Sequence, residues 1–229
     1  PSQTIETLDA VTLYLDGECA TDRSDSATGV PAITTDDNCD SDVANVLTHM
    51  DSPNAYSCND GDAAAEGSYT FMRTWTATST DDCGNESSED HVQTITVTDE
   101  TNPLLSATAP ADQVVQLDAD CSADLSTDAL GYATQTSSDA CDSDVTVETS
   151  FSDSAPQYTC SGDDDQLDGS YVFTRTFSYT VTDDCGNSTS TSVDQLITLQ
   201  DNINPSQTIE TLDAVTLYLD GECATDRSD

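Results

Sequence analysis

Residues 205–229, PSQTIETLDAVTLYLDGECATDRSD, repeat residues 1–25 letter for letter, so the text restarts after 204 positions. A shift of half that distance, 102 positions, superposes Cys19 on Cys121, Cys39 on Cys141, Cys58 on Cys160 and Cys83 on Cys185 without a gap. Residues 1–102 and 103–204 agree at 39 aligned positions, including the blocks CDSDV, GSY and TDDCGN, which is enough for one shared fold. A fixed period defines the unit before any other feature does. Here it gives a first domain at 1–102, a second at 103–204, and the opening of a further copy of the first at 205–229. Each unit has an ordinary single-domain length.

Composition alone points the other way. Strongly apolar residues are sparse and the net charge is −41, a combination typical of disordered chains. The gapless spacing, four cysteines per unit and strand-like runs at matching places outweigh it. They imply a folded domain with a thin core. Such a unit needs covalent help, because it buries modest apolar area against a large backbone entropy cost.

The cysteines lie 20, 19 and 25 residues apart, and none forms the close C-x-x-C pair of a zinc site. Disulfides are therefore expected, and with them an oxidising, extracellular compartment. Three pairings within a unit satisfy the count. The one preferred at this point joins Cys19 with Cys83 and Cys39 with Cys58, repeated as Cys121 with Cys185 and Cys141 with Cys160. The ninth cysteine, Cys223, repeats Cys19.

The punctuation reads as β-structure. Residues 67–80, GSYTFMRTWTATST, alternate so that Tyr69, Phe71, Arg73 and Trp75 share one face, and the second unit repeats Tyr171, Phe173, Arg175 and Phe177. A tight turn, DDCGN, follows, and residues 91–98 alternate again, which predicts a long hairpin. Further strands are expected at 11–15 and 114–117, with weaker ones at 30–34 and 43–47. No stretch carries a helical period. Short strands rich in Thr, Val and Tyr between Asp, Asn and Gly turns predict an all-β fold of tandem, disulfide-stapled immunoglobulin-like β-sandwich domains. Arg73 and Arg175, two of only four cations, are expected to pair with an aspartate or to stack on an aromatic ring.

The string YTFMRTWTATSTDDCGN, followed by QTITVTDETNP, resembles the HYR-like, immunoglobulin-like repeats of giant bacterial surface adhesins, including gliding-motility adhesins. The resemblance is strongest at 73–85 and 175–187 and weak over the first forty residues. It implies an exported, stalk-like protein of the cell surface and carries over no catalytic residue.

Forty-five carboxylates against four arginines exclude nucleic acid and anionic membrane as partners of this region. They also cluster where one unit meets the next. The stretches Asp99, Glu100, Asn102 and Asp201, Asn202, Asn204 resemble the Asp/Asn-rich junctions through which cadherins and large adhesins hold calcium. The hard oxygen ligands that Ca2+ favours are present in both stretches. Turn residues Asp81, Asp82, Asp183 and Asp184 are candidates to complete such sites. The competing reading is that Asp, Asn and Gly simply make turns, and it is preferred for DDCGN itself.

Catalysis finds no support. His49 aligns with Phe151 and His91 with Val193, so no histidine constellation is repeated. Sequons stand at Asn85 and Asn187. Ser26 and Ser154, in the triplets DSA, resemble acceptors of O-glycosylation in some gliding bacteria. Two functions follow as expectations. One is a structural, adhesive stalk or filament whose partners are neighbouring repeats and other copies of the chain. The other is a glycan- or protein-binding module multiplied for avidity. What the halves keep is mainly cysteines, turn formers and core alternation, while loops 59–66 and 161–168 have drifted, which favours the stalk.

Overall fold

The computed structural model describes residues 1–58, 66–160, 169–212 and 214–216. The drifted loops, apart from Glu66, and Cys223 lie outside these residues. The chain is an all-β protein of two consecutive β-sandwich units. In the first, strands β1 (Ser2–Ile5), β2 (Val11–Tyr14), β3 (Ile33–Asp36), β4 (Ala44–Asp51), β5 (Ala55–Tyr56), β6 (Tyr69–Thr80) and β7 (Glu86–Thr98) form two sheets. The larger runs β2-β7-β6-β4 with β5 added to β6, and the smaller is β1-β3. The second unit repeats this plan with β8 (Leu104–Thr108), β9 (Gln113–Gln116), β10 (Thr134–Ser138), β11 (Thr146–Asp153), β12 (Gln157–Tyr158), β13 (Tyr171–Thr182) and β14 (Ser188–Gln200). Its sheets are β9-β14-β13-β11, with β12 on β13, and β8-β10.

The expected hairpin is β6 with β7, paired antiparallel from Tyr69–Val97 to Thr80–Glu86. Its turn is built by Asp81, whose Oδ1 accepts from the backbone N–H of Cys83 and Asn85, with Gly84 at φ +82°. Only glycine takes that conformation without strain. Alternation along β6 buries Tyr69, Phe71, Arg73, Trp75 and Ala77, and β7 answers with Gln93, Ile95 and Val97. In the second unit Phe173, Phe177, Tyr179, Val181, Ile197 and Leu199 do the same. The weak strand expected at 30–34 lies instead at 33–36, after Pro31, which has no N–H to give a ladder. One-turn helices α1 (Asp25–Thr28) and α2 (Thr127–Leu130) were not legible, being too short for any apolar period.

Two buried polar devices recur in both cores. Arg73 donates from Nε to Asp51 Oδ1 at 2.7 Å and from Nη2 to Asp51 Oδ2 at 3.0 Å. Arg175 makes the same fork on Asp153 at 2.7 and 2.8 Å, with Phe151 under its guanidinium. The expected pairing thus holds, and each fork also ties β6 or β13 to the edge strand. Gln93 Nε2 donates to the carbonyls of Asp9 and Thr28, and Gln195 Nε2 to those of Ala111 and Leu130, so each glutamine clamps a helical turn to its sheet.

Candidate functional site

The candidate site is the junction where the first unit meets the second. β6 has twelve residues, which at strand rise separates its ends by roughly 40 Å. Cys58 lies before its start and Cys83 in the turn after its end. Cys19 sits with the start of β6, because Leu15 N–H donates to Thr98 O at the exit of β7. Cys39 sits with the hairpin turn, because Asp82 N–H donates to Asp40 Oδ2 at 2.8 Å. Each unit therefore carries two cysteines at either end.

This placement overturns the expected connectivity. A disulfide needs Cα atoms within about 7 Å, so Cys19 cannot reach Cys83, nor Cys39 reach Cys58, along one unit. The same holds for Cys121 with Cys185 and Cys141 with Cys160. The bonds instead cross the junction. Cys19 joins Cys141 with Cα atoms 5.0 Å apart, and Cys58 joins Cys185 at 4.9 Å. Cys39, Cys83, Cys121 and Cys160 are unpaired and exposed. The sequence separations, 122 and 127, are one period plus 20 and one period plus 25.

The junction is more than two bonds. Cys141, only 1% exposed, closes the first unit's core cluster of Leu15, Tyr69, Phe71, Ile95 and Val97. Ser143 of the second unit hydrogen-bonds to both oxygens of Glu66, and Asn187 Nδ2 donates to Asp99 O at 3.3 Å. Ser68 N–H faces the sulfurs of both Cys58 and Cys185, at 3.1 and 3.4 Å. Pro103, in the linker, is fully buried.

Carboxylates meet here too. Asp99 is 4% exposed; its Oδ1 accepts from Thr101 N–H at 2.9 Å, while its buried Oδ2 has no hydrogen-bond partner among the described residues. One oxygen each of Asp99 and Asp139 and the Cys141 sulfur lie within 4.8 Å of one another. Burial first, and then the charges of Asp99 and Asp183, push the Asp139 carboxyl above its ordinary range. The Cys141 sulfur is committed to its disulfide, which leaves two carboxylate oxygens as the donors, hard ligands that a thiophilic metal does not favour.

Of the residues singled out from sequence, Asp99 and Asp183 come together at the junction, and Glu100 and Asn102 are exposed beside it. Asp201, Asn202 and Asn204 are exposed at the far end of the second unit, where Asn202 Nδ2 donates to Gln116 Oε1. Asp81 and Asp183 spend both carboxylate oxygens on their own turns, through Asn85 and Asn187, as the turn-forming reading has it. Asp82 and Asp184 give their N–H groups to Asp40 and Asp142. Asp139 was missed. The signal for it was its position two residues before a cysteine in both units, where its Oδ1 accepts from Cys141 N–H.

The histidines serve structure: His91 Nε2 accepts from Leu8 N–H at 2.9 Å, and His49 packs edge-on to Trp75. Ser26 and Ser154 are both exposed, and Asn85 is exposed whereas Asn187 is engaged by Asp183 and Asp99. A groove of about 210 Å³ in the second unit is lined by Leu125, Tyr158, Tyr171 and Phe173. In the first unit Arg23 stands at the place of Leu125, and its guanidinium lies 3.8 Å over Phe71.

No protein-family model matches the sequence, and no curated protein matches it. Among solved structures the chain is similar to PcdhgB3 EC1-4, at 14% identity and TM-score 0.23 over 60% of this chain and 32% of that one. It is also similar to the protocadherin GammaB4 extracellular domain, at 11% identity and TM-score 0.22 over 67% of this chain and 28% of that one. The chain thus spans about a third of the length of each. Two disulfides place the units in an oxidising compartment. Among the described residues no helix is long and apolar enough to cross a membrane.

Proposed function

We propose that this chain is a stretch of the repeat region of a long extracellular surface protein, of the kind the HYR-like bacterial adhesin repeats represent, and that its units form a stiff stalk. The observation that carries the reading is the pair of disulfides that cross the junction rather than close within a unit. Two covalent ties flanking a fully buried linker proline leave little freedom to bend. A binding module repeated for avidity would present one groove in each unit, and the groove of the second unit is occupied by Arg23 in the first. That observation counts against the alternative.

Calcium belongs to the same reading. Asp99, through its unpartnered Oδ2, and Asp139 would hold the ion, with the Asp183 carboxylate, bonded to Asn187, adding its charge nearby. Bound there, Ca2+ would neutralise like charges that docking presses together and stiffen the linker further.

Small-angle scattering of the full chain tests both parts. The maximum dimension should be sharply defined under oxidising conditions and broaden when a reductant opens the two bonds. With the bonds open, Ca2+ should narrow it again and a chelator should reverse that. An unchanged scattering profile on reduction refutes the stalk reading, and indifference to Ca2+ refutes the metal site alone.

A further inference from the structure

We propose that the four cysteines unpaired among the described residues are half-cystines of further junctions of this same build: Cys121 and Cys160 of one copy of this chain close onto Cys39 and Cys83 of a second copy, head to tail. The proposal deepens the stalk reading and rests on it. The occupant of each free end is thereby a second unit of the same repeat, and the paired bonds continue as a ladder.

Translation by one period carries Cys19 and Cys58, the bonded pair at the exit of the first unit, onto Cys121 and Cys160. It carries Cys39 and Cys83 onto Cys141 and Cys185, the bonded pair at the entry of the second. The local scaffolds match atom for atom. Cys19 and Cys121 both take left-handed backbone, at φ 59° and 55°. Their loops are held by Asp16 Oδ1 accepting from Glu18 and Ala20 N–H, and by Asp118 Oδ1 accepting from Asp120 and Ser122 N–H. Ser68 N–H faces Cys58 Sγ, and Ser170 N–H faces Cys160 Sγ at 3.3 Å. At the entry ends, Asp37 and Asp139 accept from the N–H of Cys39 and Cys141. The free thiols are thus held as the bonded sulfurs are.

Exposure tells the two states apart. Cys141 and Asp99 are buried at the docked junction, while their translated equivalents Cys39 and Asp201 are exposed at the free ends. A groove of about 530 Å³ opens at the free exit, lined by Asp118, Ala119, Cys121, Asp201, Ile203 and Asn204. The matching residues of the first unit, from Asp16 to Asn102, border the surface that receives the second unit. Exit and entry are different surfaces, so docking is heterologous and propagates from copy to copy instead of stopping at a pair.

Each new bond takes one proton and one electron from each of its two thiols. A small-molecule disulfide supplies the oxidising equivalents: one thiolate attacks its S–S bond and releases a thiol, and the second protein thiolate displaces the other thiol. One oxidant molecule is reduced to two thiols per bond, two oxidant molecules per junction. The Ser170 hydrogen bonds hold the Cys160 thiol below its ordinary range, which raises its thiolate fraction. Residues 205–229 duplicate 1–25, but Cys39 and Cys83 lie outside that segment. The Cys39–Cys121 and Cys83–Cys160 links are therefore the same whichever copy of those residues fills the first strands of the incoming unit, and only the partner of Cys141, Cys19 or its duplicate Cys223, would tell the two apart.

The test is concentration of the full chain with oxidised glutathione, followed by non-reducing electrophoresis and disulfide peptide mapping. The expected result is a regular series of multimers that reductant collapses, with Cys39–Cys121 and Cys83–Cys160 as the inter-chain links. The double substitution Cys121→Ser with Cys160→Ser, at exposed positions, should leave monomer only. Cys39–Cys83 or Cys121–Cys160 bonds within a chain, scrambled links, or Cys39, Cys83, Cys121 and Cys160 all remaining as thiols overturn the proposal. The same map separates it from the stalk reading: absence of Cys19–Cys141 and Cys58–Cys185 sinks both, whereas their presence without the inter-chain links sinks the ladder alone.

Discussion

Removal of the Cys19–Cys141 bond measures what the junction is worth. Cross-linking across 122 residues withdraws about 4.9 kcal/mol of conformational freedom from the unfolded chain at 25 °C. With Cys58–Cys185 left in place, the ring that Cys19–Cys141 closes is shorter, running through 19–58 and 141–185, about 83 residues, and the figure becomes roughly 4.5 kcal/mol. Alanine is the substitution of choice, because serine would bury a hydroxyl at a position 1% exposed among Leu15, Phe71 and Ile95, adding about 1–3 kcal/mol of its own. The double variant Cys19→Ala with Cys141→Ala should therefore lose about 4 kcal/mol in guanidinium denaturation under non-reducing conditions with free thiols blocked. The control is Cys39→Ala with Cys83→Ala, two exposed and unpaired positions, which should stay within about 0.5 kcal/mol of the parent. Had the bonds closed within units, the control would fall as far as the test variant. Equal losses in the two, or no loss in the first, refute the cross-junction argument.

Two further outcomes probe the core and the second bond. Asp153→Ala leaves the Arg175 guanidinium, 3% exposed, without its counter-charge and should cost about 3–5 kcal/mol, and Asp51→Ala should cost less for Arg73, because Asp25 Oδ1 stays 3.4 Å from its Nη1. The Arg73 hydrogen bond, first among its causes, holds the Asp51 carboxyl below the ordinary 3.8, so this stabilisation is full above that value and is lost as pH falls through the lower folded one. The melting temperature of the parent should drop with acid in that window more steeply than that of Asp51→Ala, and parallel curves would count against the pairing. Gly67→Ala places a Cβ 3.0 Å from Cys185 Sγ and from Cys58 O on backbone at φ +71°, so the Cys58–Cys185 bond should fail to close and thiol titration should rise. Gly169→Ala, whose Cβ would meet Cys160 Sγ at 3.6 Å, should leave the titre unchanged.

The hairpin, its Asp-Gly turn, the inward row from Tyr69 to Trp75 and the need of Arg73 for an aspartate or an aromatic ring were legible in the sequence because each follows from a local rule: period two, positive φ, or a cation on an apolar face. The disulfides were not, although the means lay in the same text. A strand predicted over 67–80 already sets Cys58 at one end and Cys83 at the other. The even count of four per unit invited closure within the unit, and the length of the strand forbade it. Asp139 escaped for a related reason. Its partner Asp99 belongs to the other unit, so no reading of one unit at a time brings them together. The stretch from Asp201 to Asn204 was legible in the sequence as the same junction one period on.

The acidity and the cross-junction bonds are two sides of one physical problem. A chain with a charge of −41 opposes its own compaction, and docking worsens this locally by pressing Asp99, Asp139 and Asp183 together. The raised Asp139 carboxyl states the cost in sign: the docked form holds a proton more readily than the separated one, so docking weakens as pH rises from the ordinary carboxyl range through the raised value and stays weak above it. At neutral pH a purely non-covalent junction would carry that repulsion in full, set against the modest apolar contact that Cys141 makes with the first unit's core. Placing the cysteines at the ends of the units puts the covalent bond where the repulsion acts. A cation held by Asp99 and Asp139 would remove it. Cysteines paired inside each unit would have strengthened a core that already closes on Trp75, Phe71 and Ile95, and would have left this electrostatically unfavourable contact without support.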